Sequence, residues 1–276
     1  MALRIMNNVS ATFAQRQLGI NSSALNKSLT KLSSGYRINN AGDDAAGLAI
    51  SEKMRFQING MAQAQRNIQD GISLTQVAEG GLATTADILQ RLRTLSVQAS
   101  NGTLATSDRA LIQQEVNQLV SEIDRMRTGV SFNGVQLLNT ASTATNGSIQ
   151  LQVGASNGDK LSVVLSNITL AGLGISALSI TSTTGAQGAI STLDGALTAV
   201  LTLRAKVGAA QNRLETSYNF TGIQRENMMA AESRIRDVDF AEEMTNYTRN
   251  QILMQASTAM LSQANMSIQS VLQLLG

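Results

Sequence analysis

Apolar and small residues recur at alternating steps of four and three along most of this chain of 276 residues, and no proline interrupts them. A repeat of this kind keeps one face of a helix turned towards a partner helix. It excludes an all-β fold, whose strands repeat every two residues, and demands long helices with neighbours. From Leu18 the seam passes through Ser22, Leu25, Leu29, Leu32 and Tyr36. Ser33-Ser34-Gly35 then supplies a helix stop, and Asn39 to Gly42 reads as a loop. Asp43 and Asp44 are placed to cap the next helix.

The second helix is predicted from about Asp44 to Asn101 and carries two seams. One runs from Ile58 and Met61 to Leu89, the other through Leu74, Ile88, Leu92, Leu95 and Ala99. Two seams require two neighbours, which is a bundle. Gly80-Gly81 lies inside it, a weak point that packing must hold or a kink must mark. Ser107 is the predicted cap of a third helix, with a stripe from Ile112 to Met126 and Gly129 as its stop. Between about 130 and 182 the period becomes two in Ser148 to Val153 and Lys160 to Val163, with Asn157-Gly158-Asp159 as a hairpin turn. The stretches Thr140 to Ser148 and Ser179 to Gly188 read as loops. Helix resumes near Ala189, and the last segment carries Phe240, Met244, Tyr247, Gln251, Met254, Thr258, Leu261, Asn265, Ile268, Leu272 and Leu275 in four-three steps. The fold class is therefore mainly α: a long helical bundle and coiled coil that pairs the N- and C-terminal segments, with a small β-hairpin in mid-chain.

Composition narrows the function. There is no Cys, His, Trp or Pro. Thiolate chemistry, disulfides, most hydrolase triads and nearly all zinc sites are thereby removed. Charged residues make up 14% and the net charge is +2, too little for an electrostatic grip on nucleic acid or anionic lipid. The longest nearly apolar run, Ile168 to Ile180, has 13 residues, short of the ~20 needed to span a bilayer. Asp237, Asp239, Glu242 and Glu243 read as a solvated helix start rather than a cation site. Gly172-Leu-Gly174 lacks the strand–helix context of a phosphate loop. No cofactor, metal or catalytic residue is expected, so the chain is read as no enzyme.

The stretch from Lys31-Leu-Ser-Ser-Gly-Tyr-Arg-Ile-Asn-Asn-Ala-Gly-Asp-Asp to Lys53-Met-Arg closely resembles the N-terminal signature of bacterial flagellins. So do Asn67-Ile-Gln-Asp-Gly-Ile-Ser, Leu89-Gln-Arg-Leu-Arg-Thr-Leu-Ser-Val-Gln and Phe132-Asn-Gly. Gly208-Ala-Ala-Gln-Asn-Arg-Leu, Ser233-Arg-Ile-Arg-Asp-Val-Asp and Gln263-Ala-Asn resemble the C-terminal signature. The resemblance implies an inner coiled-coil domain of 1–42 with 237–276 and an outer helical-bundle domain of 43–236. It also implies a homopolymer, the extracellular flagellar filament, as the functional form, and swimming motility as its task. Unfolded export by the flagellar type III apparatus, an export chaperone on the C-terminal region, and cap and junction proteins are the other partners it implies. A chain without Cys or Pro suits such export, because no disulfide or prolyl isomerisation delays refolding.

For inner-tube self-assembly the candidate residues are Leu18, Leu25, Leu29, Leu32, Met254, Leu261, Ile268, Leu272 and Leu275. The resemblance further implies a Toll-like receptor 5 contact at Arg91, Leu95 and Glu115, with Gln90 beside them; Thr94 stands where many relatives carry an acid. The plain alternative is that Arg91 and Glu115 bridge two helices while Leu95 packs. Ser267 stands where relatives often have proline, and Gly276 where a basic residue is common. Exposed Ser and Thr at Thr140 to Ser148 or Ser179 to Thr184 are candidates for O-glycosylation. Two other readings fit the heptads: a hook–filament junction protein, and a cytoplasmic coiled-coil scaffold.

Overall fold

The computed structural model describes residues 7–139, 148–165 and 168–275, and the side chains only as far as residue 267. The elements run α1 (Val9–Ser34), α2 (Ala45–Ala99), α3 (Thr106–Gly129), β1 (Ser131–Phe132), β2 (Val135–Gln136), β3 (Ser148–Gln152), β4 (Lys160–Val164), α4 (Thr183–Arg236) and α5 (Phe240–Leu275). They form two compact units. The terminal unit is Met1–Phe56 with Asn227–Gly276, and the central unit is Gln57–Glu226. The terminal unit is larger on both sides than 1–42 with 237–276, because the first turns of α2 and the last turns of α4 group with the terminal helices.

In the central unit, α2, α3 and α4 pack around a core that includes Ile68, Leu82, Leu89, Leu92, Ile123, Val200 and Leu214. Both seams of α2 are buried, through Met61, Ile68, Leu82 and Leu89 on one side and Leu74, Leu92, Leu95 and Ala99 on the other. Gly80-Gly81 does not break the helix. Gly81 allows close approach: a Cβ there would lie 2.8 Å from a Val130 methyl and 3.1 Å from Leu138 Cδ1. Gly80 faces open space.

Helix ends follow local chemistry, in places not where the sequence alone put it. Ser107 does not cap α3; it lies within the first turn, and Asp108 reaches back to accept the Ala105 N–H at 3.1 Å. Helix α4 begins at Thr183 rather than near Ala189, because the Ser182 hydroxyl accepts the Gly185 N–H at 3.0 Å and starts the helix inside the presumed loop. The C-terminus of α2 is closed by a residue from the next helix. Arg109, almost wholly buried, donates to the carbonyls of Ala99 and Asn101, each at 2.9 Å. A cation on the last carbonyls also complements the helix dipole.

There are two antiparallel hairpins among the described residues, not one. In β1–β2, Asn133 (φ 48°) and Gly134 (φ 77°) form the tight turn, with both central residues left-handed as a type I′ turn requires. In β3–β4, Ser148 pairs Val164 and Gln152 pairs Lys160. Its connection is wider than a two-residue turn: the Asp159 carboxylate accepts the Ser156 N–H at 3.1 Å, and the Val153 N–H donates to the Asp159 carbonyl. Leu161 and Val163 point into the core. Asn67 of α2 and Thr221 of α4 donate to the carbonyls of Gln152 and Val153 and hold the hairpin down. Of the candidate glycosylation stretch Thr140 to Ser148, residues 140–147 lie outside the described residues, and Ser148 begins β3.

Gly80→Ala is expected to raise the urea midpoint by the equivalent of about 0.5–1 kcal/mol, since it only removes unfolded-state entropy. Gly81→Ala is expected to lower it by about 1 kcal/mol or more, because the added methyl overpacks against Val130 and Leu138.

Candidate assembly surface

Helices α1 and α5 run antiparallel in the terminal unit. Asn8 Nδ2 donates to the Ala264 carbonyl at 3.2 Å, Asn21 Nδ2 to Ser257 Oγ at 2.9 Å, and Lys31 pairs with Glu243 at 3.5 Å. The facing residues of α1 are Ala14, Asn21 and Ser28, buried, with Leu18, Leu25 and Leu32 half-buried between them. On α5 the facing residues are Asn250, Met254, Ser257, Leu261 and Ala264. The sequence seam was therefore right at Leu18, Leu25 and Leu32 but one position off at its alternate sites. Leu29 and Ser22 were expected where Ser28 and Asn21 stand, and Leu29 is instead 46% exposed. The reason is polar satisfaction. Asn21 and Ser257 bond each other across the seam, and Ser257 also donates to the Leu253 carbonyl; a buried amide without such a partner is costly. On α5, Met254 and Leu261 face α1, whereas Phe240, Met244 and Thr258 look outward. Ile268, Leu272 and Leu275 lie in α5, but their side chains are outside the described set.

The break between α1 and α2 is bonded to the break between α4 and α5. Gly35 caps α1 in the left-handed region (φ 75°), its N–H on the Lys31 carbonyl. Tyr36 pairs with Asp237 as a single antiparallel bridge, Arg37 N donates to the Arg236 carbonyl at 2.7 Å, and Val238 N donates to Gly35 O at 3.0 Å. Arg236 stacks over Tyr36 at 4.6 Å and donates to Glu52 at 2.7 Å. Ile38 is buried under this joint. The two aspartates divide the work. Asp44 caps α2 by accepting the Gly47 N–H at 2.8 Å, while Asp43 accepts the Asn39 and Asn40 N–H groups and pairs with Lys27 at 2.8 Å. Those bonds, the Lys27 ammonium first, lower the Asp43 pKa from 3.8 to about 2. Glu52 is lowered too, chiefly by Arg236.

Among the described residues, Ala14 and Ile38 are the only buried hydrophobic side chains of the terminal unit. The same unit exposes Val9, Phe13 and Ile20 on α1, and Phe240, Met244, Ile252, Leu253, Met260 and Met266 on α5. Apolar display on this scale marks a surface meant for other protein.

The second candidate group lies in the central unit. Arg91 of α2 grips Glu115 of α3, both donors on Oε1 at 2.7 and 3.1 Å, and both side chains are about half exposed. Gln90 is exposed beside them. Leu95 does not join this surface: it is 2% exposed and belongs to the core. Three fixtures of the surrounding bundle carry no signal in the sequence pattern. Arg93 pairs with Asp194 and Arg204 with Glu79, both at 2.7 Å, and Gln113 holds the Leu178 carbonyl and Ile180 N–H as a surrogate backbone.

A family model for the bacterial flagellin N-terminal helical region matches residues 5–143, and one for the bacterial flagellin C-terminal helical region matches residues 190–275. The chain belongs to the bacterial flagellin family. It is 48% identical to the flagellar filament 33 kDa core protein of Treponema phagedenis over 98% of this chain and 99% of that one. It is 50% identical to a flagellin of Halalkalibacterium halodurans, again over 98% and 99% of the two chains. The crystal structure of Bacillus cereus flagellin is similar with a TM-score of 0.52 and 32% identity, covering 60% of this flagellin and 94% of that chain.

Asp43 supplies a pH prediction. Its pKa is lower folded than unfolded, so folding favours the charged form. The stabilisation is present above pH 3.8 and is lost as pH falls towards about 2. Circular dichroism is expected to show a smaller loss of helix across that window in Asp43→Asn than in the parent flagellin.

Proposed function

We propose that this flagellin acts as the structural subunit of the flagellar filament, assembling through its terminal unit with many copies of itself. The observation that carries the reading is the mismatch inside that unit: the inward seam buries polar and small residues beside half-covered leucines, while Val9, Phe13, Phe240, Ile252 and Met260 face outward. A neighbouring copy supplies what the isolated pair lacks. An interface that repeats head to tail without closing gives an open helical polymer. Leu18, Leu25, Leu32, Met254 and Leu261 hold α1 to α5, and outward Leu29 contributes to packing between copies. Ile268, Leu272 and Leu275, further along α5, belong to the same proposed assembly set. The relatives named flagellin and flagellar filament core protein favour the filament over a hook–filament junction protein or a cytoplasmic scaffold.

The extracellular filament is the location that goes with this role. Export in unfolded form through the flagellar type III apparatus fits a chain without disulfides or proline. An export chaperone that covers the α5 face before assembly, and cap and junction proteins at the ends of the polymer, complete the set of partners. No helix among the described residues is long and apolar enough to cross a membrane.

Recognition by Toll-like receptor 5 is a further part of the proposal. Gln90, Arg91 and Glu115 form its polar surface, and Leu95 acts from beneath by fixing the α2 backbone in the core. Arg91→Ala monomer is expected to lose most of its signal in a receptor reporter assay, and an undiminished signal sinks this assignment.

Assembly has its own test. Purified flagellin at neutral pH is expected to extend filament seeds into long helical polymers visible by electron microscopy. Ile252→Asp, which puts a charge on the outer face of α5, is expected to stop elongation while leaving thermal unfolding of the central unit unchanged. Normal elongation by this variant would remove α5's outer face from the interface.

A further inference from the structure

The chain has eleven methionines and no cysteine, histidine or tryptophan. Thioethers are therefore its principal targets for two-electron oxidants. They are unevenly placed. Only Met61, buried, and Met126, half-buried, lie in the central unit; the other nine belong to the terminal unit. On α5, Met244, Met260 and Met266 are 49%, 65% and 56% exposed, and all three point away from the seam formed by Met254, Ser257 and Leu261. With Phe240, Ile252 and Leu253 they supply the large apolar side chains of that outer face. From Met244 to Met266 the only charged residue is Arg249.

A thioether suits such a face because it is apolar and adapts its shape to a neighbour. Its sulfoxide is polar and chiral, and needs a hydrogen-bond donor if it is to be buried. An apolar surface like the outer stripe of α1 at Val9, Phe13 and Ile20 offers such an acceptor little.

We propose that Met244, Met260 and Met266 are a peroxide-sensitive modification site that controls whether a subunit can join the polymer. The inference rests on the reading that this face packs against other copies. In each event the sulfur lone pair attacks one oxygen of hydrogen peroxide and the O–O bond breaks. Sulfur is oxidised by two electrons to the sulfoxide, and the peroxide is reduced to water. A methionine sulfoxide reductase, drawing on a thiol, reverses the change. Free subunits are vulnerable and packed ones are shielded, because the neighbours that cover the face also exclude the oxidant. Oxidative stress would then stop growth without dissolving existing polymer.

The test uses the full chain. Subunit is treated with hydrogen peroxide, the added oxygens are located by peptide mass mapping, and elongation of untreated seeds is followed by light scattering. Untreated subunit must elongate the seeds; if it does not, the assembly reading itself fails, independently of oxidation. Subunit modified at the three methionines is expected to elongate about tenfold slower or worse, and reductase treatment to restore the rate. The triple variant Met244→Leu, Met260→Leu, Met266→Leu is expected to keep its own elongation rate after peroxide. An undiminished rate for the modified parent chain, equal inhibition of the leucine variant, or no recovery with reductase overturns the proposal. Reductase recovery decides the matter alone if the leucine variant does not assemble.

Discussion

The antiparallel contact between α1 and α5 is the constraint on which the rest depends, because it cannot satisfy the helices that make it. Its inward side is built from Ala14, Asn21, Ser28 and Ser257, with leucines that are only half covered. The hydrogen bond from Asn21 to Ser257 fixes the register of the pair, at the expense of apolar burial that a leucine would have provided. What remains outside is a broad apolar surface with little charge. Isolated helices gain most of their stability from packing, so a pair packed on its weaker side is specified but incomplete. Polymerisation is the physical completion of this fold.

The joint at residues 35–44 and 236–239 makes that arrangement usable. Two chain breaks occur side by side and are bonded to each other through Tyr36, Arg37, Arg236 and Val238. Arg236 alone touches an aromatic ring and a carboxylate from different segments. The axial position of α1 and α5 relative to the adjoining turns of α2 and α4 is thus set by directional bonds around a single buried apolar side chain, Ile38. The central unit follows the opposite logic. It buries both faces of α2, closes α2 with Arg109, and pins its larger hairpin through Asn67 and Thr221. Bulk apolar burial holds this unit, and the bonds fix its edges.

The helices were legible because a four-three repeat without proline has few other solutions, and the larger hairpin because its alternation is clean. The Gly35 stop and the Asp44 cap were also readable from local chemistry. Other features were hidden for identifiable reasons. The β1–β2 hairpin is signalled by Asn133-Gly134, a type I′ pair, yet its strands are too short to show a period. The start of α4 lies in a Ser/Thr-rich stretch where Ser182 caps rather than loops. The seam on α1 was displaced because hydrophobicity favours Leu29, while the structure answers to the partner of Asn21, which lies 236 residues away. For Leu95 the sequence offers two readings, a receptor contact by resemblance and packing by its second-seam spacing with Leu92 and Ala99, and the structure buries it.

The central claim is that the terminal unit is completed only by other copies. Amide hydrogen exchange measured on monomer and on polymer tests it most directly. Amides of α1 and α5 are expected to exchange rapidly in the monomer and to become strongly protected in the polymer, while those of α2 and α4 in the central unit are protected in both. Equal protection of α1 and α5 in the two states would contradict it.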